Sequence, residues 1–309
     1  MSILAVGSVA IDSVETPFGH AERVIGGSAV FFSASASLLT EVSVVGVVGD
    51  DYPLDQLAFL KKRGVDLSGI QRESGESFSW VGKYHSDLSS RDTLETRLGV
   101  FEGFNPIIPK ELQQSEYVFL GNIDPTLQHQ VLDQVDSPSL VACDTMNYWI
   151  EGNRESLINL LARVDILMLN DEEARQLSEK SNLIQASRWI QERGPKMVVV
   201  KKGEHGAALF TRDEIFFVPG FPLEQVFDPT GAGDAFAGGL LGYISKKNST
   251  SVADLRRAVA YGSVLGSFAV QKFSIDGLRD LTESDIFGRV KQLNAMTTFE
   301  IDEGVEDFA

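Results

Sequence analysis

A chain of 309 residues with a formal net charge of −17 and one cysteine excludes several classes of protein. The acidic balance argues against a nucleic-acid partner, whose phosphates require clustered Lys and Arg, although a helix terminus, a lysine or a metal ion can still hold a nucleotide locally. Cys143 permits no internal disulfide and, beside Leu140, Val141 and Ala142, reads as a small core residue. Residues 1–7 lack a basic leader and are too short an apolar run to span a bilayer, so a cytoplasmic protein with no membrane partner is expected.

In chain order, continuous apolar runs alternate with helical patterns. The runs 3–7, 42–48, 117–120, 140–143, 166–169 and 197–200 suit parallel strands buried on both faces. Helices are predicted over 29–39, 54–63, 127–134, 155–163, 172–178 and 183–193, with a later one over 254–270. The alternation predicts a doubly wound, mostly parallel α/β sheet with ligands in the crevice at the carboxyl ends of its strands. Residues 77–101 break this rhythm. Phe78, Trp80 and Tyr84 fall on one face at period two, a polar turn covers 86–92 and a second strand runs through 93–98, which predicts an antiparallel hairpin. Residues 12–24 offer a further strand, and the acidic end, 299–309, reads as frayed.

The densest chemistry lies in Asp228-Pro229-Thr230-Gly231-Ala232-Gly233-Asp234. Gly231, Ala232 and Gly233 leave the backbone N–H groups open to an anion, and the apolar helix that follows points its unpaired N–H groups and dipole at the same place. Asp234, in the first turn, is either a helix-stabilising acid or a general base beside a phosphate, and the bare backbone before it favours the base. No Lys-Ser or Lys-Thr follows the glycines, so this is not a P-loop. Asn170 and Glu173 follow the strand 166–169 and share one helix side, while Lys201-Lys202-Gly203-Glu204-His205-Gly206 leaves the strand 197–200. Asp12 follows the first strand, where a carboxylate can accept hydrogen bonds from two hydroxyls, and Gly26 and Gly27 allow the backbone to approach the same ligand. Asn122 and Asn147 lie beyond two other predicted strands.

The 228–234 run, Gly26-Gly27, Val48-Gly49-Asp50-Asp51, Gly64-Val65-Asp66, Asn170-Asp171-Glu172-Glu173 and Lys202-Gly203-Glu204-His205-Gly206 follow one another over nearly the whole chain. In this order they resemble the ribokinase (PfkB) family of carbohydrate and nucleoside kinases. The resemblance implies a three-layer α/β/α sandwich forming one kinase domain over 1–309, with a small β-sheet lid from inserts at about 12–25 and 77–101. It implies transfer of the γ-phosphate of ATP to a hydroxyl, a primary one, of a small sugar or nucleoside. Asp234 would be the base and Gly231, Ala232 and Gly233 the anion turn. Asn170 and Glu173 would order magnesium through its waters. Lys201, Gly203, Glu204, Gly206, Thr230, Gly262 and Ser263 would surround ATP, although tight helix packing explains Gly262 and Ser263 equally well. Asp228 and Thr230 would border a monovalent-cation site for K⁺.

One position departs from that family: after Gly26-Gly27-Ser28-Ala29-Val30, where many relatives carry Asn, this chain has Phe31. With Phe78, Trp80, Tyr84 and Phe101, it makes an acceptor pocket of Asp12, Gly26, Gly27, Phe31, Phe101, Asn122 and Asn147 aromatic in character. Stacking on a base is worth roughly 1–3 kcal/mol, so adenosine or another nucleoside stands as the alternative to the sugar that the family's breadth favours. The aromatic stripe is equally explained by packing on the main sheet, or on another subunit in a homodimer through the lid. A catalytically silent sugar-binding or regulatory protein is the reading from a different class, and the presence of Asp234, the Gly-Ala-Gly turn and the Asn170/Glu173 pair argues against it.

Overall fold

Both parities of the central strands are apolar because each parity faces its own core. In the first strand, Ile3 and Ala5 enter one core, and Leu4 and Val6 the other. Tyr117 and Phe119 divide in the same way from Val118 and Leu120. The computed structural model describes residues 2–88 and 90–299. Its strands begin with β1 (Ser2–Val6), β2 (Ala10–Thr16), β3 (Gly19–Gly26), β4 (Glu41–Val48), β5 (Asp66–Arg72), β6 (Ser79–Tyr84) and β7 (Arg91–Arg97). They continue with β8 (Tyr117–Leu120), β9 (Leu140–Asp144), β10 (Ile166–Asn170), β11 (Met197–Lys201), β12 (Ala207–Phe210) and β13 (Ile215–Val218).

Nine strands form one sheet in the order β13-β12-β11-β10-β9-β8-β1-β4-β5, parallel throughout except where β12 and β13 turn back antiparallel at one edge. The chain leaves β1 toward β4 and β5, then returns to β8 on the other side of β1. The carboxyl ends of β1 and β8 therefore form the topological switch point at which α/β sheets open a crevice. Helices cover both faces. Ser28–Ala36, Ala232–Lys247 and Val252–Ala269 pack in the first core, and Pro125–Leu132, Arg154–Leu161, Asp171–Ser178 and Leu183–Gln191 in the second. The result is a three-layer α/β/α sandwich. A second sheet, β3-β2-β6-β7, pairs β2 in parallel with β6 and antiparallel with β3.

The expected strands agree with the observed ones to within a residue or so, and 77–101 is the expected hairpin, β6 and β7. Residues 12–24 fold not as one strand but as most of a hairpin, β2 and β3, whose turn at Pro17 and Phe18 splits the segment. The strands β5, β12 and β13 and the helix Glu283–Thr297 were not anticipated. The stretch 299–309 falls, apart from the exposed Phe299, outside the described residues. Among the described residues no helix is long and apolar enough to cross a membrane.

Candidate active site

The helix that carries Asp234 begins where the chain requires a residue without Cβ. Gly231 caps Ala232–Lys247 at φ 73°, and a methyl group there would lie 2.2 Å from the Phe31 ring. The helix is drawn onto Ser28–Ala36, with Ser35 donating to the Ala235 carbonyl at 2.6 Å and Gly238 lying against the Phe32 carbonyl. The N–H groups of Gly231 and Gly233 have no acceptor among the described residues, so the turn presents free donors at a helix N-terminus. Phe31 is therefore a correction to the sequence reading. Its ring, 2% exposed, is the floor beneath Gly231 rather than an open stacking face in an acceptor pocket.

Four charged side chains meet beside this turn. Lys201, at the end of β11, donates to Asp144 Oδ2, at the end of β9, across 2.7 Å, and both are largely buried. A methyl group on Gly233 would sit 3.0 Å from Lys201 Nζ, so the ammonium borders the anion turn. Burial pushes the lysine down, but the carboxylates of Asp144, Glu173 and Asp234 outweigh it and hold it charged. Burial also raises Asp234, the negative charge of Asp144 raises it further, and Lys201 and its own N–H work against both. Asp144 was missed in the sequence, where one Asp after an apolar run reads as a turn residue and its partner lies 57 positions away.

Asn170 and Glu173 form a reciprocal cap on Asp171–Ser178. Asn170 Oδ1 accepts from Glu173 N–H and Glu173 Oε2 accepts from Asn170 N–H, each at 2.7 Å. Burial raises Glu173 to about 7, opposed first by Lys201. The other Glu173 oxygen, Oε1, accepts no hydrogen bond among the described residues, which leaves it for a metal's water shell. Among the described residues no three His, Cys, Asp or Glu side chains converge to hold an ion unaided. That donor set suits magnesium, which keeps waters and takes its remaining ligands from substrate phosphates.

Asp12, 6% exposed, lies on β2 with its Oδ2 only 1.9 Å from where a Gly26 methyl would stand. Burial, then the charges of Asp228 and Asp234, raise it to about 7, while the Gly27 N–H opposes them. Gly27, at φ 97°, lets the chain turn from β3 over the Ser8 carbonyl. Asp228, 1% exposed, accepts from Thr230 N–H at 2.9 Å and Ser274 N–H at 3.1 Å. It has no cationic partner among the described residues. Thr230 in turn donates to the Tyr84 hydroxyl at 3.3 Å, which joins the turn to the small sheet.

The remaining expected site residues divide. Gly203, at φ 55°, has open space around it and Glu204 is exposed, but the side-chain position at Gly206 is filled by the Val218 carbonyl. Ser263 donates to the Pro219 carbonyl at 3.0 Å, beside that same segment. Gly262 is corrected from pocket wall to helix packing, because a methyl there meets the Phe236 carbonyl and ring. Asn122 is already engaged, donating to Met146 Sδ at 3.0 Å and accepting from the Trp149 indole at 2.9 Å. Asn147 is exposed, and Phe101 is clustered with Phe78 and Phe104 at ring separations of 5.5 and 5.4 Å. An unread aromatic, Tyr148, is 64% exposed just past β9 and stands edge-on to Trp149.

A match to the pfkB family carbohydrate kinase profile spans residues 2–278. The chain belongs to that family. It is 30% identical to a cytidine kinase of Thermococcus kodakarensis over 80% of this chain and 89% of that one. It is 34% identical to an aminoimidazole riboside kinase of Salmonella typhimurium over 87% and 88%. A putative ribokinase II from E. coli, solved in complex with ATP and Mg²⁺, superposes with a TM-score of 0.78 at 20% identity, covering 94% of this chain and 99% of that one. The three layers and the small sheet are thus those of the ribokinase fold.

Proposed function

We propose that this pfkB kinase moves the γ-phosphate of ATP to a primary hydroxyl of a small sugar or sugar derivative, in one kinase domain whose four-stranded sheet serves as the lid. The observation that carries this is the turn itself: the free N–H groups of Gly231 and Gly233 open at the start of the helix whose first turn holds Asp234, and the Lys201 ammonium, paired with Asp144, borders them. Asp12 accepts hydroxyls of the acceptor and orients it. Asp234 takes the proton from the attacking hydroxyl as the oxygen–phosphorus bond forms and ADP departs. The turn and Lys201 stabilise charge on the transferring group. Glu173, fixed by Asn170, would hold the water shell of magnesium, which when bound would neutralise charge on the nucleotide phosphates. The loop at Gly203 and Glu204, with Ser263, lies along the nucleotide. Asp228 and Thr230 would form a site for K⁺, which would neutralise a buried carboxylate whose hydrogen-bond partners, Thr230 and Ser274, carry no charge.

A second acceptor class has its own support. Tyr148 exposes a ring at the carboxyl end of β9, and the two relatives above act, by name, on cytidine and on a riboside. A riboside such as a nucleoside would place its base on that ring and its ribose on Asp12. The test is ADP release with Mg·ATP across a panel of hexoses, pentoses and nucleosides, with and without KCl, followed by identification of the phosphorylated product. No transfer to any acceptor from a protein that binds ATP would leave the silent-binder reading.

A further inference from the structure

The small sheet presents a cation to the crevice that the kinase reading has not used. On β6, Trp80, Gly82 and Tyr84 share a face: the Trp80 ring lies over Gly82, where a methyl would be 2.0 Å from it, and Tyr84 reaches Thr230 in the anion turn. A bulge between Val81 and Gly82 resets the pairing so that Gly82 opposes Thr93 and Tyr84 opposes Arg91. Directly opposed residues of an antiparallel pair point to the same side. Arg91 therefore stands on the crevice face next to Tyr84, with its guanidinium 6.0 Å from the Trp80 ring centroid, and Trp80 is steadied by a bond from its indole to Thr93. The Arg91 side chain makes no hydrogen bond or ion pair among the described residues, while the other face of the same hairpin is paired, Lys83 with Glu15 and His85 with Asp92. The electrostatics agree, because Arg91 opposes the burial of both Tyr84 and Glu173, the residues that flank the turn from the small sheet and from the main sheet.

We propose that Arg91 is a ligand of the phosphoryl group in transfer, carried over the crevice by the β6–β7 hairpin. The inference rests on the kinase reading. In the step it serves, the acceptor O–H gives its proton to Asp234, its oxygen bonds to the γ-phosphorus, and the bond from that phosphorus to the β–γ bridging oxygen breaks to release ADP. Arg91 offers planar N–H donors to the equatorial oxygens as negative charge spreads over them. Because the residue is borne by the small sheet, the charge is complete only with that sheet seated, which ties seating to chemistry.

The experiment compares Arg91→Gln, Arg91→Lys and Arg91→Ala with Arg97→Gln, a control on the same strand whose side chain pairs with Glu95 on the opposite face. With an acceptor that wild type uses, Arg91→Gln should lower kcat about 10²–10³-fold while acceptor KM moves by less than about threefold. Arg91→Lys should recover part of the loss, millimolar guanidinium should partly rescue Arg91→Ala, and Arg97→Gln should match wild type. Active wild type with an equally active Arg91→Gln would overturn this inference and leave the kinase reading intact. A loss confined to acceptors that carry their own phosphate would also overturn it, because the guanidinium would then serve the acceptor. A wild type that transfers to nothing removes the kinase reading and this inference with it.

Discussion

At the scale of single residues, the site concentrates carboxylates that are held away from their ordinary pKa. Asp234→Asn keeps the shape of the helix turn and removes the proton acceptor, so kcat should fall about 10²–10⁴-fold with ATP affinity retained. A kcat close to wild type would take Asp234 out of the chemistry. The same raised acidities set the pH behaviour. The base must be ionised to act, so kcat/KM should fall as pH drops below about 7, with apparent values that belong to the Asp12, Asp234 and Glu173 cluster as a whole. Stability runs the other way. Between the ordinary value of 3.8 and about 7 the folded chain keeps a proton on Asp12 that the unfolded chain has lost. That contribution is fully present below the lower value and is lost as pH rises through the upper one. Asp12→Asn should therefore raise the melting temperature at pH 8, by roughly 1.5 °C per kcal/mol relieved, flatten its pH dependence and abolish acceptor use. A lower melting temperature at pH 8 would mean that the Gly27 bond outweighs the buried charge.

At the scale of elements, the reciprocal cap on Asp171–Ser178 separates two roles of one side chain. In Glu173→Gln the amide oxygen can still accept from Asn170 N–H, so the helix start survives while the charge is lost. The magnesium concentration for half-maximal rate should rise with acceptor KM nearly constant, whereas an unchanged magnesium dependence would reduce Glu173 to a cap. This element also shows what the sequence could reveal. The strand 166–169, its following Asn170 and the glutamate one turn on are local in the chain, and local order is what periodicity and capping report. The strands 3–7 and 197–200 were legible for the same reason, their apolar runs being buried on both sides. Asp144 was not legible, because its meaning is an ion pair with Lys201 across two strands of the finished sheet. Nor was the place of Phe31, which depends on Gly231, 200 residues later, lying on its ring. The four-residue strands β12 and β13 are too short for a pattern to stand out.

At the scale of the whole molecule, the two sheets have unequal shares in the fold. Both hydrophobic cores lie against the nine-stranded sheet, and no described residue from 79 to 97 belongs to either. Every residue of β7 is exposed. The β6–β7 hairpin touches the main body where Tyr84 meets Thr230, and its neighbour β2 does so where Thr16 donates to the Phe227 carbonyl at 2.8 Å. Function and stability should therefore come apart when the hairpin is removed. Ser79 and Arg97 are directly paired, so their backbones stand about 5 Å apart and two glycines can join residue 78 to residue 98. The shortened protein should keep a cooperative melt within a few degrees of wild type, since the cores that supply most of the stability are untouched. It should still bind ATP, because the donors at Gly231 and Gly233, Lys201 and the Asn170 cap all lie on the main sheet or its helices. Transfer to the acceptor should collapse, and the ratio of ATP hydrolysed to acceptor phosphorylated should rise, as water enters a crevice that the small sheet no longer covers. Product and ADP measured together in one reaction decide the matter. Retained transfer at an unchanged ratio would mean that the small sheet is neither a lid nor the carrier of a group the reaction needs.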